Sequence, residues 1–156
     1  MKRGFSLLVA IFTIVLLSLV ASYIFYASST VAKIGNLQYQ KEQAMLLARS
    51  YTEYAILAIQ GHDRDATTNC VETISANIGS NPNNGNGYRV RVVINYIGNS
   101  KYLTHCNNIL AELDDNNSPD TLMALIDVYV EYKDLLHFDR TNAPWITFHK
   151  RSLQKI

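Results

Sequence analysis

The chain has 156 residues, a formal net charge of +1 and only 17% charged residues. No basic or acidic field is present to draw a nucleic acid or another polyanion, so such partners are discounted. No GxSxG, HExxH, Walker or paired CxxC pattern occurs and no regular internal repeat is visible, so an enzyme is not expected.

The stretch "KRGFSLLVAIFTIVLLSLVASYIFYA", residues 2–27, begins with two cations and a glycine and then runs apolar, without a charge, from Phe5 to Ala27. A membrane-spanning helix needs roughly 20 apolar residues, so this run is long enough to cross. A secretory signal has a shorter apolar centre of about 7 to 15 residues ending in a small-x-small site, and the downstream "ASSTVAK" fits that poorly. Lys2 and Arg3 precede the run and only Lys33 follows closely, so the positive-inside bias places the N-terminus in the cytoplasm and the remainder across the membrane. Ser18, Ala21, Ser22 and Ala27 are small enough to let another helix approach closely, and equally are residues that lipid tolerates.

Beyond Ala27 the helical pattern continues. Val31, Ile34 and Leu37, then Ala44, Leu47, Ala48, Tyr51, Tyr54, Ala55 and Ala58, recur at three- and four-residue steps, with Lys41, Glu42, Arg49 and Glu53 largely between them. Gly35 and Asn36 mark a bend or local unwinding, and Gly61 is placed to end the helix. One helix from about Phe5 to Gln60 would be about 80 Å long, more than a domain of this size covers, so its first half is expected to project. Ala44, Leu47, Tyr51 and Ala55 are expected to face inward. "GHDRD" (Gly61 to Asp65) gathers a histidine, an arginine and two carboxylates, but just past a helix end His62 and Arg64 are favourable without any catalytic role.

What remains makes one small domain whose burial is marginal unless something reinforces it. Cys70 and Cys106 are an even pair on the expected exported side, where a single disulfide persists. It would close a loop of about 36 residues and constrain the unfolded state by roughly 3 to 4 kcal/mol. The competing reading, a metal site of Cys70, His105 and Cys106, is disfavoured because adjacent His and Cys side chains rarely make two good ligands and no fourth partner is evident.

"GSNPNNGNG" (Gly79 to Gly87) reads as a flexible surface loop. From Tyr88 the period changes to two: Tyr88, Val90, Val92, Ile94 and Tyr96 share one face, opposite Arg89, Arg91 and Asn95, which is a strand. The stretch with Leu103, Cys106, Ile109, Leu110 and Leu113 suits a helical turn or a bent strand. A second strand follows, with Leu122, Ala124, Ile126, Val128, Val130 and Tyr132 alternating with Asp127, Glu131 and Lys133. Pro144 opens a last one, with Ile146 and Phe148 alternating with Thr147, His149 and Arg151. His137 and His149 have no clustered partners in sequence, and Trp145 and the tyrosines suit either core or an adhesive surface. A long helix followed by a small antiparallel sheet is α+β.

"DDNNSPD" offers Asp114, Asn116, Ser118 and Asp120 at alternate positions, the oxygen spacing that starts a calcium loop. Pro119 stands where such a loop wants glycine and Leu125 where it wants a bidentate glutamate, so a solvated loop capped by Ser118 or Asp120 is favoured. No cofactor is expected apart from this weak calcium candidate. Asn116 also falls in "DDNNS", similar to a bacterial N-glycosylation sequon.

The "KRGFSLL" start, a basic leader and a glycine before the phenylalanine that opens the apolar run, resembles the prepilin processing motif of type IV pilins and type II secretion pseudopilins. The layout resembles theirs too: a projecting N-terminal helix, an amphipathic second half, a variable loop and a terminal sheet. The resemblance implies a pilin-like fold, with residues 1–4 as leader, 5–27 as transmembrane half of the helix, 28–60 as its amphipathic half and 61–156 as exported globular domain. It implies that Gly4 precedes the bond cut by a prepilin peptidase and that Phe5 becomes the N-methylated first residue. Most pilins carry glutamate at the fifth mature position, where it pairs with the N-terminal ammonium of a neighbouring subunit. Here that position is Val9. The departure suits a minor subunit that initiates or caps a filament, anchored in the bacterial inner membrane before assembly. Other pilin or pseudopilin subunits, the prepilin peptidase and the inner-membrane assembly platform are the implied partners. The alternatives are a bitopic membrane protein with an uncleaved anchor and an exported binding or sensor domain, and a secreted soluble protein, which the long apolar run disfavours.

Overall fold

The computed structural model describes residues 2–62, 70–113 and 122–156, with side chains from Leu7 onward in the first of these segments. The fold is α+β. Its first element, α1 (Lys2–Gly61), is an uninterrupted helix, followed by strands β1 (Thr73–Asn81), β2 (Asn86–Asn99), β3 (Ile109–Leu113), β4 (Leu122–Lys133) and β5 (Trp145–Lys155). The bend expected at Gly35 and Asn36 does not interrupt α1. Two weak helix formers cost about 1 kcal/mol or less each, too little to break a helix with good formers on both sides. The chain divides into two compact units, one through Tyr39 and one from Gln40 to Ile156.

In the second unit α1 buries Gln40, Ala44, Ala48, Thr52, Ala55 and Ile59, a stripe at steps of three and four. Three of the six are alanine. Thr52 satisfies its buried hydroxyl by donating to Ala48 O at 2.7 Å. Leu47 and Tyr51, expected inward, flank the stripe half-buried, while Tyr54 is exposed. The stripe joins Val90, Val92, Ile94 and Tyr96 of β2 and Ala124, Ile126, Val128, Val130 and Tyr132 of β4 in one core. Each large aliphatic side chain so buried contributes about 1.5 to 3 kcal/mol. The even-numbered faces of β2 and β4 meet because the strands pair in register, Val90 opposite Val130 and Ile94 opposite Ile126.

The sheet runs β1-β2-β4-β5, antiparallel throughout, and β3 adds to β2 in parallel. β1 covers Asn86 to Val93 of one edge of β2, and β3 continues along the same edge from Tyr96 to Asn99. The stretch left open between helical turn and bent strand contains both in succession, a helical turn α2 (Ser100–Leu103) and then β3.

The expected flexible loop at Gly79 to Gly87 is instead a tight hairpin. β1 runs on to Asn81, a 3-10 turn occupies Pro82–Asn84 with Pro82 buried, and β2 starts at Asn86. Asn81 caps the turn by accepting from Asn83 N at 3.1 Å, and Gly85, at φ 78, donates its N–H to Pro82 O at 3.1 Å. The backbones touch at Gly79 and Gly87, where a Cβ on Gly79 would lie 2.6 Å from Asn86 O and one on Gly87, at φ +143, would overlap Ile78 O. Turn formers at this spacing closed the hairpin instead of loosening it. Gly87→Ala is expected to lower the unfolding free energy of the full chain in detergent by about 2 kcal/mol or more, read by urea titration. Gly35→Ala, with open space around it, is expected to be neutral or slightly stabilising.

Candidate functional site

Three arrangements carry the residues singled out by sequence. The first is the apolar part of α1. Leu7, Leu8, Val9, Ile11, Phe12, Ile14, Val15, Leu16, Leu17, Leu19, Val20, Tyr23, Ile24, Phe25 and Tyr26 are all exposed. One helix is thus long and apolar enough to span a membrane. Its hydroxyls turn back on their own helix: Thr13 donates to Ala10 O at 2.9 Å, Ser18 to Val15 O at 2.8 Å and Ser22 to Ser18 O at 2.8 Å. That is how polar groups are accommodated where no water is present to bond them. Gly4 and Phe5 fall in the first turn of α1, with their side chains outside the described residues. Val9 is 43% exposed and offers neither donor nor acceptor.

The second is a junction at which β1 and β3 meet on the edge of β2. Cys70 and Cys106 form a disulfide with Cα atoms 4.9 Å apart, and Cys70 N donates to His105 O at 3.2 Å. With their sulfurs bonded to each other, Cys70 and Cys106 have no thiolates for the metal site considered with His105. Around the bridge, Ile94 N donates to Glu72 O at 2.8 Å, Tyr96 N to Asn108 O at 2.8 Å, and the Tyr96 hydroxyl to Val71 O at 2.7 Å. The Glu72 carboxylate accepts from Asn107 N and, at 3.2 Å, from Asn108 N, while Asn108 Nδ2 donates to Ile94 O at 3.2 Å. Among the described residues no three His, Cys, Asp or Glu side chains are grouped to hold a metal ion. The calcium candidates Asp114, Asn116, Ser118 and Asp120, with the sequon, and residues 63–65 of "GHDRD" lie outside the described residues.

The third was not anticipated and lies on the sheet face away from the core. Asp127, nearly fully buried, accepts from Arg151 Nε at 2.7 Å and Arg151 Nη2 at 3.1 Å, and its Oδ1 lies 2.6 Å from His149 Nε2. His149 stacks on Tyr129 with ring centroids 4.5 Å apart, and Arg91 lies over the same Tyr129 ring at 5.0 Å. Arg89 lies 4.0 Å from the Trp145 ring centroid and donates to Asn83 Oδ1. The Lys133 ammonium also faces Trp145, at 5.2 Å. Pairing creates these contacts, since Arg91, Tyr129 and His149 are cross-strand neighbours, as are Val93, Asp127 and Arg151. The hydrogen bond from Arg151 chiefly holds the Asp127 carboxyl below the usual aspartate value, against its own burial, and His149 adds to the effect. Asp127 therefore ties β4 to β5 as an anion.

Comparison of the chain with family models, with curated proteins and with solved structures gave no match.

Replacing both Cys70 and Cys106 by alanine is expected to cost roughly 3 to 4 kcal/mol of stability, and a reductant is expected to do the same to the native chain, both read by urea titration. Because the native pKa of Asp127 is depressed, the stability it adds is present above the ordinary value of 3.8 and is lost as pH falls through the lowered native one. Asp127→Asn is thus expected to destabilise the chain at neutral pH, with the gap to the native chain closing below pH 3.8 in unfolding curves measured across acid pH.

Proposed function

We propose that this chain is a minor pilin or pseudopilin, an inner-membrane-anchored subunit that initiates or caps a type IV pilus or a type II secretion pseudopilus. The observation that carries the reading is one helix with two characters. Its first part exposes large apolar side chains on every side, and its second part buries a narrow alanine-rich stripe on a sheet. A membrane accepts such a segment before assembly, and a bundle of like helices accepts it afterwards, with lipid contacts exchanged for helix contacts at little net cost.

The residues at the start of the chain supply the rest. Gly4 and Phe5 are the cleavage and methylation positions of a prepilin, and Val9 takes the place of the carboxylate that would pair with a neighbour's terminal ammonium. An ion pair matters there because an isolated charge inside a membrane costs a few kcal/mol. A subunit with the ammonium but no acid serves one neighbour and has nothing for the next, which places it at a filament end. The disulfide agrees with an exported domain, since such bridges persist in oxidising compartments.

The test is the mature N-terminus, determined on membranes from the native cell and from a prepilin-peptidase mutant by intact mass and terminal peptide mapping. A start at methylated Phe5 that vanishes in the mutant is expected. Met1 or Lys2 intact in both strains would overturn the proposal and leave an uncleaved anchor bearing an exported binding or sensor domain.

A further inference from the structure

The sheet has two outer edges that are protected very differently. β5 carries His149, Lys150, Arg151 and Lys155 along one of them, the kind of charge that discourages pairing with a foreign strand. β1, Thr73–Asn81, has neither a charge nor a proline in nine residues. Among the described residues no strand pairs with its outer side. The bond from Ile94 N to Glu72 O makes Glu72 and Ile94 a hydrogen-bonded pair, so by antiparallel alternation Ile74, Ala76 and Ile78 bond to β2. Thr73, Ser75 and Asn77 accordingly turn their backbone N–H and C=O groups outward, and all three are exposed.

Beside this edge lies an open cleft of about 290 Å³, lined by Ser75, Asn77, Arg89, Arg91 and Glu131. Its two cations differ. Arg89 is held by Asn83 and Trp145 and faces Glu131 across the strands. Arg91 is exposed, lies opposite Ser75 in register, and lies over the Tyr129 ring. Neither has a carboxylate within salt-bridge distance among the described residues, whereas Arg151 is already committed to Asp127.

We propose that the β1 edge takes an added strand from a partner protein whose extended segment is acidic, with a glutamate beside Ser75 that reaches Arg91. Main-chain bonds to Thr73, Ser75 and Asn77 supply the pairing, and alternate side chains of the added strand lie on the outer face, about 4.8 Å from β1. Ser75 is too short to close the cleft, so Arg91 swings from Tyr129 toward the entering carboxylate. This surface is independent of whether the chain is processed as a prepilin.

The experiment uses the full chain in detergent micelles and a blocked ten-residue peptide of alternating Thr and Glu. It is titrated calorimetrically, with amide exchange of Thr73, Ser75 and Asn77 as second readout. Binding with protection of these three amides is expected. Arg91→Gln is expected to weaken it about tenfold, the loss of one charge-assisted hydrogen bond. Ser75→Pro is expected to abolish it while leaving the bonds from β1 to β2 and the amide protection of β2 intact, because the removed N–H points outward. The same peptide with a central proline, and one of alternating Thr and Lys, are expected not to bind. No binding of the Thr-Glu peptide, or equal binding of its proline form, would overturn the proposal. So would equal, Arg91-dependent binding of polyglucuronate, which would assign the cleft to an acidic saccharide.

Discussion

The fold depends on one constraint: α1 carries far more apolar surface than the described residues cover. In the first unit the large side chains from Leu7 to Tyr26 are exposed. At about 25 cal/mol per Å² such a surface does not stay in water. A single scattered leucine on a surface needs no explanation, but an unbroken sleeve of them does. The helix is long and apolar enough to span a membrane, and its serines and threonines folded back onto their own carbonyls are compatible with such a surrounding.

The second unit solves the opposite problem, a small domain with little to bury. It does so by burying Ala44, Ala48 and Ala55 in one core with the strands, and with a covalent link where topology is weakest. β3 pairs in parallel after a connection of only nine residues, Ser100 to Asn108, shorter than the dozen or so that such crossovers usually take. The Cys70–Cys106 bridge and the Glu72 carboxylate hold both ends of that junction against the edge of β2. On the opposite face the Asp127, His149 and Arg151 cluster ties the last strand to its neighbour by charge.

The sequence revealed what has a period. Helix α1 and strands β2, β4 and β5 were legible because their apolar residues recur every three to four or every two positions. The Cys70–Cys106 pair was legible because there were only two cysteines. What escaped depends on register or on local compaction. His149 looked partnerless because Asp127 lies 22 residues away and meets it only when β4 and β5 align; laying the two alternating patterns side by side is the signal that would have found it. The buried stripe passes through Thr52 and misses Tyr54 because a helix of 3.6 residues per turn drifts off any strict three-four count. The Gly79 to Gly87 run was misread since turn residues specify tight hairpins as readily as slack loops.

The central claim is physical: the exposed apolar part of α1 is covered by hydrocarbon or by its like, not by water. Its most direct test is a spin label on Leu17→Cys in the full chain reconstituted into bilayers, with accessibility compared between oxygen and a water-soluble nickel complex. High oxygen and low nickel accessibility, placing the label deep in the hydrocarbon, is the expected result. A label as open to nickel as one on exposed Tyr54→Cys would contradict the account.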